Sequence, residues 1–146
     1  MSIVVDANIL VAQVLELDYS EAARAKLAEW LDQDLRLYAP TLWRYEALSA
    51  LRKFVRHKIL LQKEAVEAIK AFAGLGIQEV RPSPALEEET LVWADRLDQA
   101  VAYDAAYVAL AESLEFELWT ADRRLARAAR AAGAAWVRSL QEAEAS

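Results

Sequence analysis

Short runs of apolar residues alternate along this chain with stretches of helical periodicity, and that alternation predicts a parallel sheet enclosed by helices. Ile3-Val4-Val5 reads as a short buried strand, with a helix over 7–15 following directly. Ser20 fits the N-cap of a helix over 21–31, whose apolar side carries Ala23, Leu27, Trp30 and Leu31. A second strand, 35–39, is closed by Pro40. Thr41 then caps a long helix reaching Arg56, and a further helix over 63–72 ends at Gly74 and Gly76. A third strand is expected over 77–80. Ser83 and Pro84 supply the N-cap and first position of the next helix, and Glu87, Glu88 and Glu89 in its early turns favour its dipole. The remainder reads as a helix over 104–113, a strand over 117–120, a helix over 122–132 ended by Gly133, and a strand over 135–137. Five short strands among helices make a doubly wound α/β sheet with helices on both faces. No repeat, low-complexity tract or long linker divides the chain, so residues 1–146 are expected to form one domain.

Composition narrows the class. A chain of 146 residues is long enough to bury roughly 68–70% of its unfolded surface. Hydrophobic residues make up 56% and charged residues 27%, with no run near the ~18–20 apolar residues of a membrane span and no charged-then-apolar leader. Cysteine is absent, which excludes disulfides and thiolate metal sites. The expected setting is the cytoplasm, with no membrane partner. The net charge of −6 argues against indiscriminate nucleic-acid binding. Local clusters run the other way: Arg44, Arg52, Lys53, Arg56, His57 and Lys58 fall in one helical stretch, and Arg123, Arg124, Arg127 and Arg130 in another. Each cluster fits either a phosphate-binding face or a solvated helix surface.

Candidate chemistry lies in four carboxylates. Asp6 ends the first strand, Asp122 follows the Leu118-Trp119-Thr120 run, and Glu46 and Asp104 sit near the starts of two helices. Strand ends and helix starts meet along the edge where open α/β sheets hold their ligands. Acidic oxygens without cysteine, and with a single histidine, suit Mg²⁺ or Mn²⁺ better than zinc, which points to a metal-dependent hydrolase acting on phosphates. Each acid also has a structural role open to it. Asp6 and Asp122 fit helix caps, Asp104 fits a first helical turn, and Glu46 fits a surface pair with Lys53. Asp104 nevertheless shares an inward face with Tyr107, Val108 and Ala111, an expensive place for an unpaired charge. Asn8 and Thr120, two residues from Asp6 and Asp122 respectively, are placed to orient a carboxylate. His57, alone, cannot run two-group acid–base chemistry.

The segments Ile3–Ala12, Pro40–Leu48, Tyr103–Glu112 and Leu118–Leu125 resemble, in order, the four motifs of PIN-domain proteins, with VapC-type toxin ribonucleases of toxin–antitoxin pairs as the best likeness. The resemblance implies a three-layer α/β/α fold with a five-stranded parallel sheet. It also implies a Mg²⁺- or Mn²⁺-dependent endoribonuclease acting on RNA, an antitoxin partner and frequent homodimerisation. It carries the family's catalytic and metal-binding acids onto Asp6, Glu46, Asp104 and Asp122, and its strand-end hydroxyl onto Thr120. Where the family's opening motif often has serine or threonine, this chain has Asn8. Arg44, Arg52 and Arg123, near these acids in sequence, are the expected RNA contacts. Two alternatives stay within the same fold: a non-catalytic interaction module, and a free-standing nuclease without an antitoxin. A haloacid-dehalogenase-like phosphatase would need an aspartate where Asn8 stands. A receiver domain would need paired acids at the first strand and a lysine after a late strand.

Overall fold

The computed structural model describes residues 1–141, so residues 142–146 of the expected 1–146 unit lie outside the described residues. In chain order the elements are β1 (Ser2–Val5), α1 (Ala7–Val11), α2 (Ser20–Asp32), β2 (Arg36–Pro40), α3 (Trp43–Arg56) and α4 (Gln62–Ala73). They continue with β3 (Gln78–Val80), α5 (Pro84–Arg96), α6 (Tyr103–Leu114), β4 (Glu117–Thr120), α7 (Arg123–Ala131) and β5 (Val137–Ser139). The five strands form one sheet in the order β3-β2-β1-β4-β5, and all four pairings are parallel. In β1 and β4 consecutive residues are buried, Ile3, Val4 and Val5 beside Leu118, Trp119 and Thr120. Burial of both side-chain directions means that helices cover both faces, which gives the expected three-layer α/β/α fold.

The strand order fixes where a ligand edge can form. From β1 the chain moves outward through β2 and β3, then returns across the sheet to β4 and β5. The reversal therefore lies between β1 and β4, where the carboxyl ends of Val5 and Trp119 are in register, and a crevice opens at such a switch point. α6 packs across β1, β2 and β4, and α1 packs against α3. Edge-to-face rings lock the outer layers: Trp43 against Phe72 joins α3 to α4, and Trp93 against Trp136 joins α5 to the approach to β5.

Several boundaries differ from the pattern-based expectation, each for a local hydrogen-bonding reason. α1 stops at Val11, not residue 15. The Gln13 amide turns tightly onto the Leu10 carbonyl while its side chain donates to the Ile9 carbonyl, replacing the next helical bond. Ser20 is the first residue of α2, not its cap. Its hydroxyl donates backward to the Leu15 carbonyl and accepts from the Leu17 amide, both at 2.8 Å, closing the preceding loop. Pro40 lies inside β2, beyond the stretch paired with β1, so only one neighbouring strand meets its missing N–H. Thr41 does not cap α3: its amide extends the sheet by donating to the Val80 carbonyl, and α3 begins two residues later without a side-chain cap. Ser83 does cap α5, accepting from the Leu86 amide. β5 starts at Val137 because the turn at Gly133, with φ of 105°, carries the chain through Ala134 back onto the Ala129 carbonyl before it can pair.

Candidate functional site: an acidic cleft at the sheet switch point

The crevice beyond β1 and β4 gathers all four carboxylates. Asp6, Glu46, Asp104 and Asp122 line one cleft of about 250 Å³ together with Asn8 and Tyr19. β1 and β4 deliver Asp6 and Asp122 from their carboxyl ends, while α3 and α6 bring Glu46 and Asp104 from their first turns.

Asp6 is buried and occupies the N-cap position of α1, yet its side chain makes no capping bond. The carboxylate instead accepts from the Thr120 hydroxyl at 2.9 Å. That hydroxyl accepts from the Asn8 side-chain amide at 3.2 Å and from the Asp122 backbone amide at 3.0 Å. The Asn8 side-chain oxygen accepts from the Ala121 amide, and the Tyr19 hydroxyl donates to the Asn8 carbonyl. Asn8 and Thr120 thus form a bridge between the ends of β1 and β4, and Asp6 is oriented by it. Asp122 serves two ends: it lines the cleft and caps α7, accepting from the Arg124 and Leu125 amides at 2.9 and 3.1 Å.

Glu46 makes no contact with Lys53 among the described ion pairs. It accepts a 2.6 Å hydrogen bond from the Tyr107 hydroxyl, which also accepts from the Ala7 amide at 3.3 Å. Asp104 accepts from the Gln99 side-chain amide at 3.1 Å. Sequence pattern offers Tyr107 only as a companion of Asp104 on an inward helical face. The available signal is that a buried tyrosine hydroxyl needs a polar partner, and the acids are the polar groups at hand. Gln99, in the loop before α6, carries no comparable signal.

Electrostatically the cleft is uncompensated. Burial pushes Asp6 up to about 7, with the charges of Glu46 and Asp104 adding to it and the Thr120 hydrogen bond opposing. Burial also raises Glu46, against the Tyr107 bond, and raises Asp104, against the Gln99 bond. Tyr107 and Tyr19 are raised too, by burial first and then by neighbouring carboxylates. None of the four acids belongs to a described ion pair. Among the described residues no three acidic or histidine side chains stand arranged to hold one metal ion; Asp6, Glu46 and Asp104 are each turned onto a protein donor.

The three arginines are not gathered in the same way. Arg44 pairs with Glu79 at 2.5 Å and lies over the Trp43 ring. Arg52 borders a groove between α3 and α4 with Leu48 and Leu51. Neither lines the acidic cleft. At about 100° per helical residue, they lie far round α3 from Glu46, whereas Lys53, seven positions on, returns to its face. Arg123 is exposed at the first position of α7, adjoining Asp122.

The PIN domain family model matches residues 3–131. The ribonuclease VapC9 of Mycobacterium tuberculosis strain H37Rv is 35% identical over 123 residues, covering 84% of this chain and 87% of that protein. Among solved structures, PAE2754 from Pyrobaculum aerophilum superposes with a TM-score of 0.69 at 26% identity, over 98% of this chain and 86% of that one. A toxin-antitoxin complex from Klebsiella pneumoniae shares the fold, with a TM-score of 0.67 at 16% identity over 94% and 97% of the two chains. The match spans the strands and helices that carry all four cleft acids, and the chain belongs to the PIN-domain family.

Proposed function

We propose that this protein is a divalent-metal-dependent endoribonuclease of the VapC type, the toxin of a toxin–antitoxin pair, which hydrolyses RNA phosphodiesters in the acidic cleft. The observation that carries this reading is the convergence of four carboxylates from four elements on one cleft with no described cationic partner. A fold that draws Asp6 out of water beside two further acids pays for like-charge repulsion, and a hard dication offsets it. All-oxygen donors suit Mg²⁺ or Mn²⁺, so Asp6, Glu46, Asp104 and Asp122 would hold the ion directly or through water. Bound there, the ion supplies positive charge that stabilises negative charge developing on the phosphate. The protein's part is placement. Thr120 and Asn8 orient Asp6, Tyr107 holds Glu46, and Gln99 holds Asp104. Arg123 at the start of α7, with Arg44 and Arg52 further round α3, would contact RNA phosphates.

The 35% identity to a protein named a ribonuclease supports the reaction class. The shared fold with a chain from a toxin-antitoxin complex supports an antitoxin as partner, and a homodimer in the cytoplasm completes the reading. No described helix is long and apolar enough to cross a membrane. The test is cleavage of a panel of RNAs by the purified protein in Mn²⁺, in chelator, and with Asp104→Asn. Cleavage present only for the wild type in metal supports the reading. Cleavage that survives in chelator or in the variant refutes the metal-site assignment, and no cleavage of any RNA leaves a non-catalytic PIN module.

A further inference from the structure

Beside the acidic cleft lies a second, larger cavity of about 570 Å³, lined in part by Tyr45, Glu46, Lys53, Phe54 and Tyr103. The two cavities share Glu46, Ala50 and Phe54 as a common wall. Of the five tyrosines, only Tyr45 and Tyr103 are exposed, at 75% and 61%. Most other aromatic side chains are pinned. Four ring pairs brace the core, and the hydroxyls of Tyr19 and Tyr107 are hydrogen bonded. Tyr45 and Tyr103 make no ring contact or hydrogen bond among the described residues. Each stands immediately before a cleft acid, Tyr45 before Glu46 on α3 and Tyr103 before Asp104 on α6. An aromatic ring is thus presented to solvent from both helices that bring in acids from their first turns.

We propose that Tyr45 and Tyr103 form a stacking subsite for an unpaired nucleobase of single-stranded RNA, one step along the strand from the phosphate held in the acidic cleft. This rests on the nuclease reading and specifies the form of its substrate. Free aromatic faces beside a phosphate-handling site are how proteins grip single strands without reading sequence, since every base has a π-face. The charge pattern agrees. Lys53 lies in the cavity wall, seven positions from Glu46 on α3, so a strand leaving the acids would pass a cationic group. A separate apolar surface lies away from this cavity, where exposed Leu48, Val66 and Ile69 collect along the α3–α4 groove.

The test measures binding of a short single-stranded RNA by fluorescence anisotropy, with Ca²⁺ replacing Mn²⁺ to suppress cleavage. It uses wild type, Tyr45→Ala, Tyr103→Ala and the two phenylalanine variants; because both positions are exposed, unchanged thermal melts verify folding. Each alanine is expected to weaken binding about 5- to 150-fold, with phenylalanine close to wild type. One abasic nucleotide in the RNA should weaken wild-type binding while adding nothing to the alanine variants. Wild-type binding by both alanine variants, beside intact cleavage by wild type, overturns the subsite alone. So does equal loss with phenylalanine and alanine, which assigns the effect to the hydroxyls. A changed oligomeric state by light scattering with RNA binding intact makes the rings a protein-contact face and overturns it too. A wild type that neither binds nor cleaves RNA removes the subsite together with the nuclease reading.

Discussion

Asp6 carries its charge at the cost of the metal-free fold. Its pKa rises from 3.8 to about 7 on folding, so between those values the folded protein binds more protons than the unfolded chain and stability falls as pH rises. Glu46 and Asp104 shift in the same direction. In chelator, Asp6→Asn should therefore melt higher than wild type at pH 8 and lose that advantage towards pH 4. Even ~1 kcal/mol corresponds to about 2–4 °C for a chain of this size. Melting curves of the two proteins that stay parallel across that pH range would contradict the electrostatic account. Tyr107 makes a second residue-level case. Tyr107→Phe keeps the buried ring but strips the donor from Glu46 and the acceptor from the Ala7 amide. It should cost about 1–3 kcal/mol of stability and weaken Mn²⁺ binding by roughly 10- to 100-fold. Titration calorimetry giving wild-type affinity would reduce Tyr107 to a packing residue.

At the level of elements, α7 shows how one side chain serves fold and site together. Asp122 accepts two amides of the first turn and faces the cleft. Asparagine can keep the cap but not the charge, whereas alanine keeps neither. Asp122→Asn is expected to melt close to wild type while losing metal-dependent activity, and Asp122→Ala to lose activity plus roughly 1 kcal/mol of stability. Equal melting of the two variants would show that the cap contributes nothing. In the sequence a cap and a cleft position compete for Asp122, and in the fold it caps α7 and lines the cleft. The type of every element was legible because hydrophobic period and helix punctuation agree along the chain. The ends were less so, because they depend on side chains bonding backward. Ser20 looks like a cap, but its hydroxyl is taken by Leu15. Gln13 shows no sign in sequence of ending α1, yet its side chain occupies the Ile9 carbonyl.

For the whole molecule, the β3-β2-β1-β4-β5 order converts a scattered set of acids into one cleft. The four carboxylates were legible because strand ends and helix starts converge at the switch point of any such sheet. Their partners were not, since Tyr107 and Gln99 meet Glu46 and Asp104 only through tertiary packing. The arginines show the limit of sequence proximity: Arg44 is two residues from Glu46 yet reaches Glu79 of β3. Because the ion would join groups carried by β1, α3, α6 and β4, its binding should stabilise the entire domain. Mn²⁺ at 100 times its dissociation constant should add about 2.7 kcal/mol, seen as a higher melting temperature in wild type and little change in Asp6→Asn. Equal shifts in the two proteins would place the bound ion outside the cleft.

The Thr120 hydroxyl has a polarity that its neighbours impose. It receives hydrogens from the Asn8 side chain and from the Asp122 backbone, which leaves its single proton only Asp6 to point towards. Asn8 is held the same way, its oxygen engaged by the Ala121 amide and its nitrogen by Thr120. Direction therefore runs one way along the bridge, from amide to hydroxyl to carboxylate. An aspartate at position 8, identical in shape, would offer Thr120 no hydrogen and would draw its proton away from Asp6. The difference between an amide nitrogen and a carboxylate oxygen, one atom at the edge of the cleft, thus decides where the Thr120 proton points.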